Sequence, residues 1–475
     1  MNTPRYVVAI DGGSQSTKVL VVDETGTIHA SAQRRLRPTE SPSPGHVVHP
    51  DDDLWESMVE ACREALGRFE GDPRHIVGVG LCTIRFCRAL LDEDGGLVEP
   101  VLSWMDQRVS RPHEQQARVR YVTTSSGYLT RRLTGERRDS VGNQQGMWPV
   151  DQERWRWSDD PDAYARTGMR AEQLFELMQP GELLGRVTAD AAASTGLPAG
   201  LAVYATANDK AVEALGSGLR DDDPAVLLSL GTYVAAMAVG HDANATDERY
   251  WTNFAAEPGR YLYESDGIRR GMWTVSWWRD LLDAGQGITD DDLNAGAGDI
   301  APGSDGLFAV LDWLAPGGAT HRRGALLGFD GRQGRFHVHR AILEGIALTM
   351  RGHVDAMEVA LGRRFESVIV SGGGSRSDLM MRILAAVFER PVRRNRLTDA
   401  AGMGAAISAF VGAGVHSSWG ESVAATVHGA DRFEPQPEWV RAYRPVREAY
   451  SLLPRHLDPL FLKWQAIAAR ASEER

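Results

Sequence analysis

Tyr6-Val-Val-Ala-Ile-Asp11 runs into Gly12-Gly13-Ser14-Gln15-Ser16-Thr17-Lys18 and on into Val19-Leu-Val-Val22. The flanks are β-branched and apolar and the middle is small and polar, so the stretch reads as strand, tight turn, strand. Glycine lets main-chain N–H groups approach an anion and the hydroxyls add donors, so such a turn can cradle a phosphate. The pattern returns in the second half: Ala225-Val-Leu-Leu-Ser229-Leu230-Gly231-Thr232, then Tyr233-Val-Ala-Ala-Met237. Two such turns, one per half, predict two related lobes gripping one polyphosphate. The first turn is not a P-loop, which needs G-x-x-x-x-G-K-[ST] opening a helix. Nor is it a dinucleotide fingerprint, because the third glycine and the helix are missing.

A chain of 475 residues is too long for one core and predicts roughly two to four domains. Its 43% hydrophobic and 24% charged content is that of an ordinary globular protein. A net charge of -12 with no basic run argues against a nucleic-acid partner. An anion such as ATP then needs local amides, basic groups and a cation. Cys62, Cys82 and Cys87 have neither metal-ligand spacing nor an even count. The N-terminus enters a strand by Tyr6, and no apolar run reaches membrane-spanning length. A cytoplasmic protein with reduced thiols is expected. Lys18, Lys210 and Lys463 are the only lysines, and two of them fall inside motifs singled out here. A compact ammonium is not always replaceable by a guanidinium, which is a modest pointer to Lys18 and Lys210.

Strands are expected at about 6–11, 18–23 and 27–35, followed by a helix from a cap at Asp51 whose apolar face carries Leu54, Met58, Cys62 and Leu66. Ile76–Thr83 reads as a buried strand, Ala89–Leu91 and Leu97–Leu102 flank a turn, and Ser126–Leu133 reads as a helix ending at Gly135. Pro38–Pro50 and Trp148–Trp157 read as loops. Asp221-Asp222-Asp223-Pro224 separates the halves. The second half then offers helices at His337–Leu361, Ser377–Arg390 and about Asp399–Gly412, with a strand at Ser367–Val370. Strands alternating with helices in both halves make the fold class α/β with mixed sheets.

Four places carry chemistry. Asp11 ends a strand just before the first turn, where a carboxylate can hold a magnesium ion through water, or serve as an Asx-type turn residue. Val203-Tyr-Ala-Thr-Ala-Asn208-Asp209-Lys210 delivers a carboxylate to the carboxyl end of a strand, where ligands of open α/β sheets gather. Asp209 there suits a general base, or a helix cap. Trp104-Met-Asp106-Gln-Arg108, with Arg85 ahead of it, combines a flat indole with hydrogen-bonding groups and suits a polyol, or a solvated ion-pair loop. Ser371-Gly372-Gly373-Gly374-Ser375-Arg-Ser-Asp378 joins a strand to a helix and lets a nucleoside lie on bare backbone, or is a flexible cap.

The order of these motifs resembles the FGGY family of carbohydrate kinases over nearly the whole chain. Tyr128-Leu-Thr-Arg-Arg-Leu-Thr-Gly135 belongs to the likeness. So does Gly324-Ala-Leu-Leu-Gly328-Phe329 followed by His337-Val-His-Arg-Ala-Ile-Leu-Glu344. The resemblance implies two ribonuclease-H-like lobes of the actin/hexokinase type, ATP and Mg2+. It places Asp209 as catalytic base and Asp11 as the magnesium-associated residue. Gly12, Gly13, Ser14, Thr17, Lys18, Gly231 and Thr232 fall at the phosphates, and Gly373, Gly374, Ser375 and Asp378 at the adenosine. Arg85, Trp104, Asp106, Arg108 and Asp209 fall at the sugar. Two departures bear on the sugar pocket. The segment 111–121 is shorter than usual, and Thr83-Ile84-Arg85-Phe86-Cys87 matches neither the xylulokinase nor the glycerol kinase type.

The expected division is an N-terminal lobe over 1–220, a C-terminal lobe over 225–440 and a helical extension over 441–475. The expected activity is transfer of the γ-phosphoryl group of ATP to a hydroxyl of a small sugar, ketose or polyol. The partner is that small molecule, with no nucleic acid and no membrane, and a homodimer is the one assembly entertained. A nucleotide-dependent scaffold or chaperone on the same lobes would need neither Asp209 nor the Trp104 cluster, and a sugar-binding regulator would bind a sugar without ATP turnover. Sugar-stimulated ATP consumption separates them.

Overall fold

A computed structural model of the chain describes residues 3–243, 247–283, 285–396 and 399–473. Two mixed sheets on one plan form its frame. The first has the order Leu183–Arg186, Ala202–Ala205, Ile76–Thr83, Tyr6–Gly12, Ser16–Asp23, Ile28–Arg35. Tyr6–Gly12 pairs antiparallel with Ser16–Asp23, which is itself antiparallel to Ile28–Arg35, and parallel with Ile76–Thr83. In the second sheet Ala225–Leu230 pairs antiparallel with Val234–Gly240, which is antiparallel to Tyr261–Ser265, and parallel with Ser367–Ser371. Each sheet then adds a second parallel strand on the same side, Ala202–Ala205 in one and Val392–Asn395 in the other. The repeated turn is therefore the visible part of a repeated lobe.

Alternation along the first strand explains the layers. Val8 and Ile10 point into a core shared with Leu54, Met58 and Cys62 of the helix Asp53–Arg68. Val7 and Ala9 point the other way, against Ala211, Val212, Met403 and Ala406. These belong to the helices Asp209–Gly216 and Ala400–Gly412, and the same core takes in Leu227, Met237 and Ile369 of the second sheet. The two helices are thus a layer between the sheets. Ala400–Gly412, which lies between the strands Val392–Asn395 and Gly429–Phe433 of the second sheet in the chain, packs on the first. Close approach is what the small residues supply: a Cβ on Gly80 would lie 2.1 Å from the Ala405 carbonyl oxygen. One on Gly404 would lie 1.9 Å from that of Val212.

The structure departs from the sequence reading in places. The first helix begins at Asp53, not at a cap on Asp51, and Asp52 at the cap position makes no capping bond. Its carboxylate instead takes the Tyr128 hydroxyl and Arg132. Leu97–Leu102 makes only isolated bridges, Leu97 with Leu91 and Leu102 with Arg88 and Val48. The helices Gly271–Asp283 and Asp290–Gly298 had no signal in the reading, because their Trp, Gly and Asp content masks the period. The 148–157 stretch holds a short strand pair, and Trp155 leaves its own lobe altogether. It packs on Phe254 with ring centroids 4.5 Å apart and donates Nε1–H to the Tyr261 hydroxyl at 3.0 Å.

The last helix, Pro437–Glu473, is fastened to the helix Arg335–Leu361 by a buried polar knot. Arg340 donates to Glu344 Oε1 at 2.8 Å and to the Tyr443 hydroxyl at 3.0 Å, and Tyr443 donates to the same oxygen at 2.7 Å. Gly303 N and the Ser304 hydroxyl fill the rest of Glu344. No described helix is long and apolar enough to cross a membrane.

Candidate active site

Asn208 caps the helix that follows the strand Ala202–Ala205. Its Oδ1 accepts from Lys210 N at 3.1 Å and Ala211 N at 3.2 Å, while its Nδ2 donates to the Gly142 carbonyl at 3.1 Å. Capping therefore falls to Asn208, and Asp209 is released for other work. Asp209 Oδ1 accepts from Lys210 N at 3.0 Å and faces Arg85 Nε at 3.9 Å. Burial raises the Asp209 pKa above the ordinary carboxylate range; Arg85 and Lys210 pull it down and Glu264 pushes it up. The net effect is a more basic carboxylate.

Behind Asp209 lies a cross-lobe knot. Glu213 accepts from Lys210 Nζ at 2.7 Å, the Ser229 hydroxyl at 2.7 Å and the Ser371 hydroxyl at 2.6 Å. Lys210 also donates to Ser229 at 2.9 Å. Burial would push the Lys210 pKa down, but Glu213 and Asp209 outweigh it and raise the pKa. Ser229 and Ser371 lie at the ends of the two strands that lead into the second turn and the glycine run, so one carboxylate ties the helix that starts at Asp209 to both.

Asp11 stands opposite. Burial raises its pKa to about 7, helped by Asp209, Asp399 and Glu213 and opposed by Lys18. Among the described residues its carboxylate receives no hydrogen bond, and no group of three or more His, Cys, Asp or Glu could hold a metal ion by itself. A lone, destabilised carboxylate of this kind suits a hydrated divalent cation whose other ligands are water and phosphate. Lys18 is ion-paired to Asp399 at the start of the Ala400–Gly412 helix.

The first turn leaves Ser14 and Gln15 exposed, with Gly13 N closing on the Ser16 carbonyl at 3.0 Å. Thr17 differs from the expectation: strand alternation turns it inward, where its hydroxyl pairs with Ser57 at 2.8 Å. The second turn leaves Thr232 exposed, and the glycine run lies directly on it. Gly372 has φ +81°, and a Cβ there would meet the Leu230 carbonyl oxygen at 2.7 Å. One on Gly374 would meet Leu230 Cβ at 2.8 Å and Met272 Sδ at 2.9 Å. A Cβ on Gly373 would meet only Arg376 Nη2, at an ordinary contact distance of 3.6 Å. Ser375 departs from its expected place at the nucleoside, since its buried hydroxyl donates to the Gly372 carbonyl at 2.7 Å and braces the loop from beneath. Asp378, half-exposed, pairs with Arg394 at 2.8 Å.

On the acceptor side, Arg85 donates Nη1 to Glu264 Oε2 at 2.7 Å and Nη2 to Oε1 at 2.9 Å. Its guanidinium lies 4.7 Å from the Trp251 ring centroid and 5.4 Å from that of Phe86. Trp104 is exposed. Asp106 and Arg108 depart from the expectation of sugar contacts. Asp106 is buried, capping its own loop: it accepts from Val47 N at 2.8 Å and from Arg108 Nε at 3.0 Å and Nη2 at 2.8 Å. Arg108 spends its other edge on Glu99. All three cysteines are buried, and burial pushes the Cys62 and Cys87 thiols up to about 12.

The sequence reading missed Glu264, Trp251, Glu213 and Asp399. Glu264 had a signal, a single charge in the otherwise apolar or aromatic run Tyr261-Leu-Tyr-Glu-Ser. It also missed Asn143-Gln144-Gln145, whose side-chain carbonyl oxygens are buried without a partner beside Asn208.

Models of the FGGY family of carbohydrate kinases match this chain, the N-terminal domain over residues 6–115 and the C-terminal domain over 226–413. The uncharacterized sugar kinase YgcE of Escherichia coli (strain K12) is 42% identical over 469 residues, covering 97% of this chain and 95% of that one. The xylulose kinase structure from Rhodospirillum rubrum superposes with a TM-score of 0.82 at 26% identity, over 96% of this chain and all of that one. The gluconate kinase from Lactobacillus acidophilus shares the fold, with a TM-score of 0.83 at 17% identity over 97% of this chain and 100% of that one.

Proposed function

We propose, from the premise that this chain belongs to the FGGY family of carbohydrate kinases and is an ATP-dependent sugar kinase, that Asp209 is its general base. The observation that carries the reading is a carboxylate made more basic by burial, freed from capping by Asn208, facing Arg85 and near enough to Asp11 to raise its pKa. As the acceptor oxygen attacks the γ-phosphorus, Asp209 takes its proton and the bond from the γ-phosphorus to the bridging oxygen of ADP breaks. Main-chain N–H groups at Gly12–Ser14 and Gly231–Thr232 receive the phosphates. Gly373 and Gly374 receive the nucleoside, with Asp378 at the edge of that site. Lys18 stays near the first turn on its Asp399 anchor. Asp11 is the residue that holds a hydrated magnesium ion, which supplies charge neutralisation at the phosphates when bound. Arg85 and Trp104 face the acceptor, while Asp106 and Arg108 shape the loop that carries Trp104. The division at 221–224, with residues beyond 440 extending the second lobe, goes with this reading.

Relatives named for xylulose and for gluconate share the fold, so fold alone leaves neutral and acidic acceptors both open. The test of the base is Asp209→Asn. ATP binding measured by calorimetry is expected to stay within about threefold, and kcat to fall about 10²–10⁴-fold. Near-normal turnover overturns the role.

A further inference from the structure

We propose that Glu264 is a specificity-determining residue that reserves the acceptor site for uncharged polyols and ketoses and turns away sugar acids. The inference rests on the kinase reading above and adds the charge class of its substrate. An unoccupied guanidinium beside a sugar site is the group that would take a sugar carboxylate, through two parallel N–H···O bonds. In Arg85 both terminal nitrogens are already engaged by Glu264, at 2.7 and 2.9 Å, in that same fork geometry. The Glu264 side chain is 1% exposed, so an incoming carboxylate would have to displace a buried one. The remaining edge, Nε, looks toward Asp209 at 3.9 Å, and Trp251 and Phe86 lie over the plane.

Charge points the same way. Two cations, Arg85 and Lys210, face three carboxylates, Glu264, Asp209 and Glu213, so the local balance is negative and repels an anion while leaving a polyol unaffected. The neighbouring wall is neutral. The loop carrying Asn143, Gln144 and Gln145 packs between Ala207, which a Cβ on Gly142 would meet at 2.8 Å, and Phe86, which one on Gly146 would meet at 3.4 Å. Asn143 Nδ2 donates to Ser126 at 2.6 Å, Gln144 Nε2 to Asp139 at 2.8 Å and Gln145 Nε2 to the Gly142 carbonyl at 3.4 Å. Donation to a carboxylate and a carbonyl fixes the orientation of the two glutamine amides, leaving their buried carbonyl oxygens unpaired. Such oxygens are satisfied by hydroxyl hydrogens; a carboxylate has none to give.

The test compares acceptors matched in chain length, a five- or six-carbon polyol or ketose against the corresponding aldonate, by ADP release. Wild-type kcat/KM is expected to favour the neutral member by about 100-fold or more. Glu264→Ala, which uncovers the fork of Arg85, is expected to shrink that preference at least about tenfold, chiefly through a lower KM for the aldonate. Glu264→Gln, which keeps one acceptor oxygen, should fall between. Wild-type turnover of aldonates as good as that of their neutral partners overturns the proposal, and this arm does not depend on any variant folding. An unchanged preference in well-folded Glu264→Ala also overturns it. Loss of the base reading is separate: it shows as Asp209→Asn turnover near normal on whichever acceptor is used.

Discussion

Asp11 and Asp209 are two half-buried carboxylates whose acidity is set by different neighbours. Burial raises the pKa of both; at Asp209 the neighbouring Arg85 and Lys210 oppose the rise, whereas Asp11 has mainly other carboxylates near it and is raised to about 7. The sign of the linkage follows. Between about pH 4 and 7 the folded chain keeps a proton on Asp11 that the unfolded chain has lost, so this group costs stability as pH rises, fully by about pH 8. Asp11→Asn is therefore expected to stabilise the nucleotide-free protein by about 1–3 kcal/mol at pH 8 and to be neutral near pH 4. Melting temperatures at the two pH values check this, and an equal offset at both defeats it. The same residue explains what was readable. Asp11 and Asp209 sit at strand ends in short motifs, so sequence reveals them. Glu264 meets Arg85 across 179 residues, and no local pattern carries that information. Thr17 shows the opposite error: a hydroxyl counted by composition, when alternation from Ser16 to Lys18 turns it inward.

Among the elements, the helix Arg335–Leu361 changes the meaning of a motif. Arg340 and Glu344 lie in the stretch His337–Glu344 that supports the family likeness, yet they are buried in the knot with Tyr443, away from the turns. Removing one partner of such a knot strands the other's charge. Glu344→Ala is expected to cost about 3–5 kcal/mol in chemical denaturation. Tyr443→Phe is expected to cost about 1–3 kcal/mol. Both should leave kcat within about threefold below the melting range; a selective loss of kcat with unchanged stability would show that the motif serves chemistry. Strands and amphipathic helices were legible because burial imposes their periods. The cap of the first helix was not, because three consecutive aspartates, Asp51 to Asp53, compete for one position and tertiary contacts with Tyr128 and Arg132 choose among them.

The whole molecule is joined by its middle layer. The crossing of Asp209–Gly216 with Ala400–Gly412 carries Asp209, the proposed base, at one end and Asp399 at the other, so the lobes share the element that bears both carboxylates. Gly404→Ala would force its new methyl against the Val212 carbonyl. A cost of about 1–3 kcal/mol is expected, with a drop in kcat larger than any change in ATP affinity, because the misfit falls on the seam between lobes. Calorimetry and steady-state rates check this, and a change confined to ATP affinity refutes it. Trp155, seated in the opposite lobe, is a second tie at the far side of the same seam. The repeat of the two turns made the two lobes predictable. That a late helix returns to the early sheet was not, since its Ala- and Gly-rich face reads the same whichever partner it meets. Lastly, all three native thiols are sunk in the interior with depressed reactivity. A maleimide dye offered to the intact enzyme would find almost nothing to attack. Cysteines introduced at exposed Ser14 and Thr232 would then be the sole labelled points, and energy transfer between them would read the jaw opening without background.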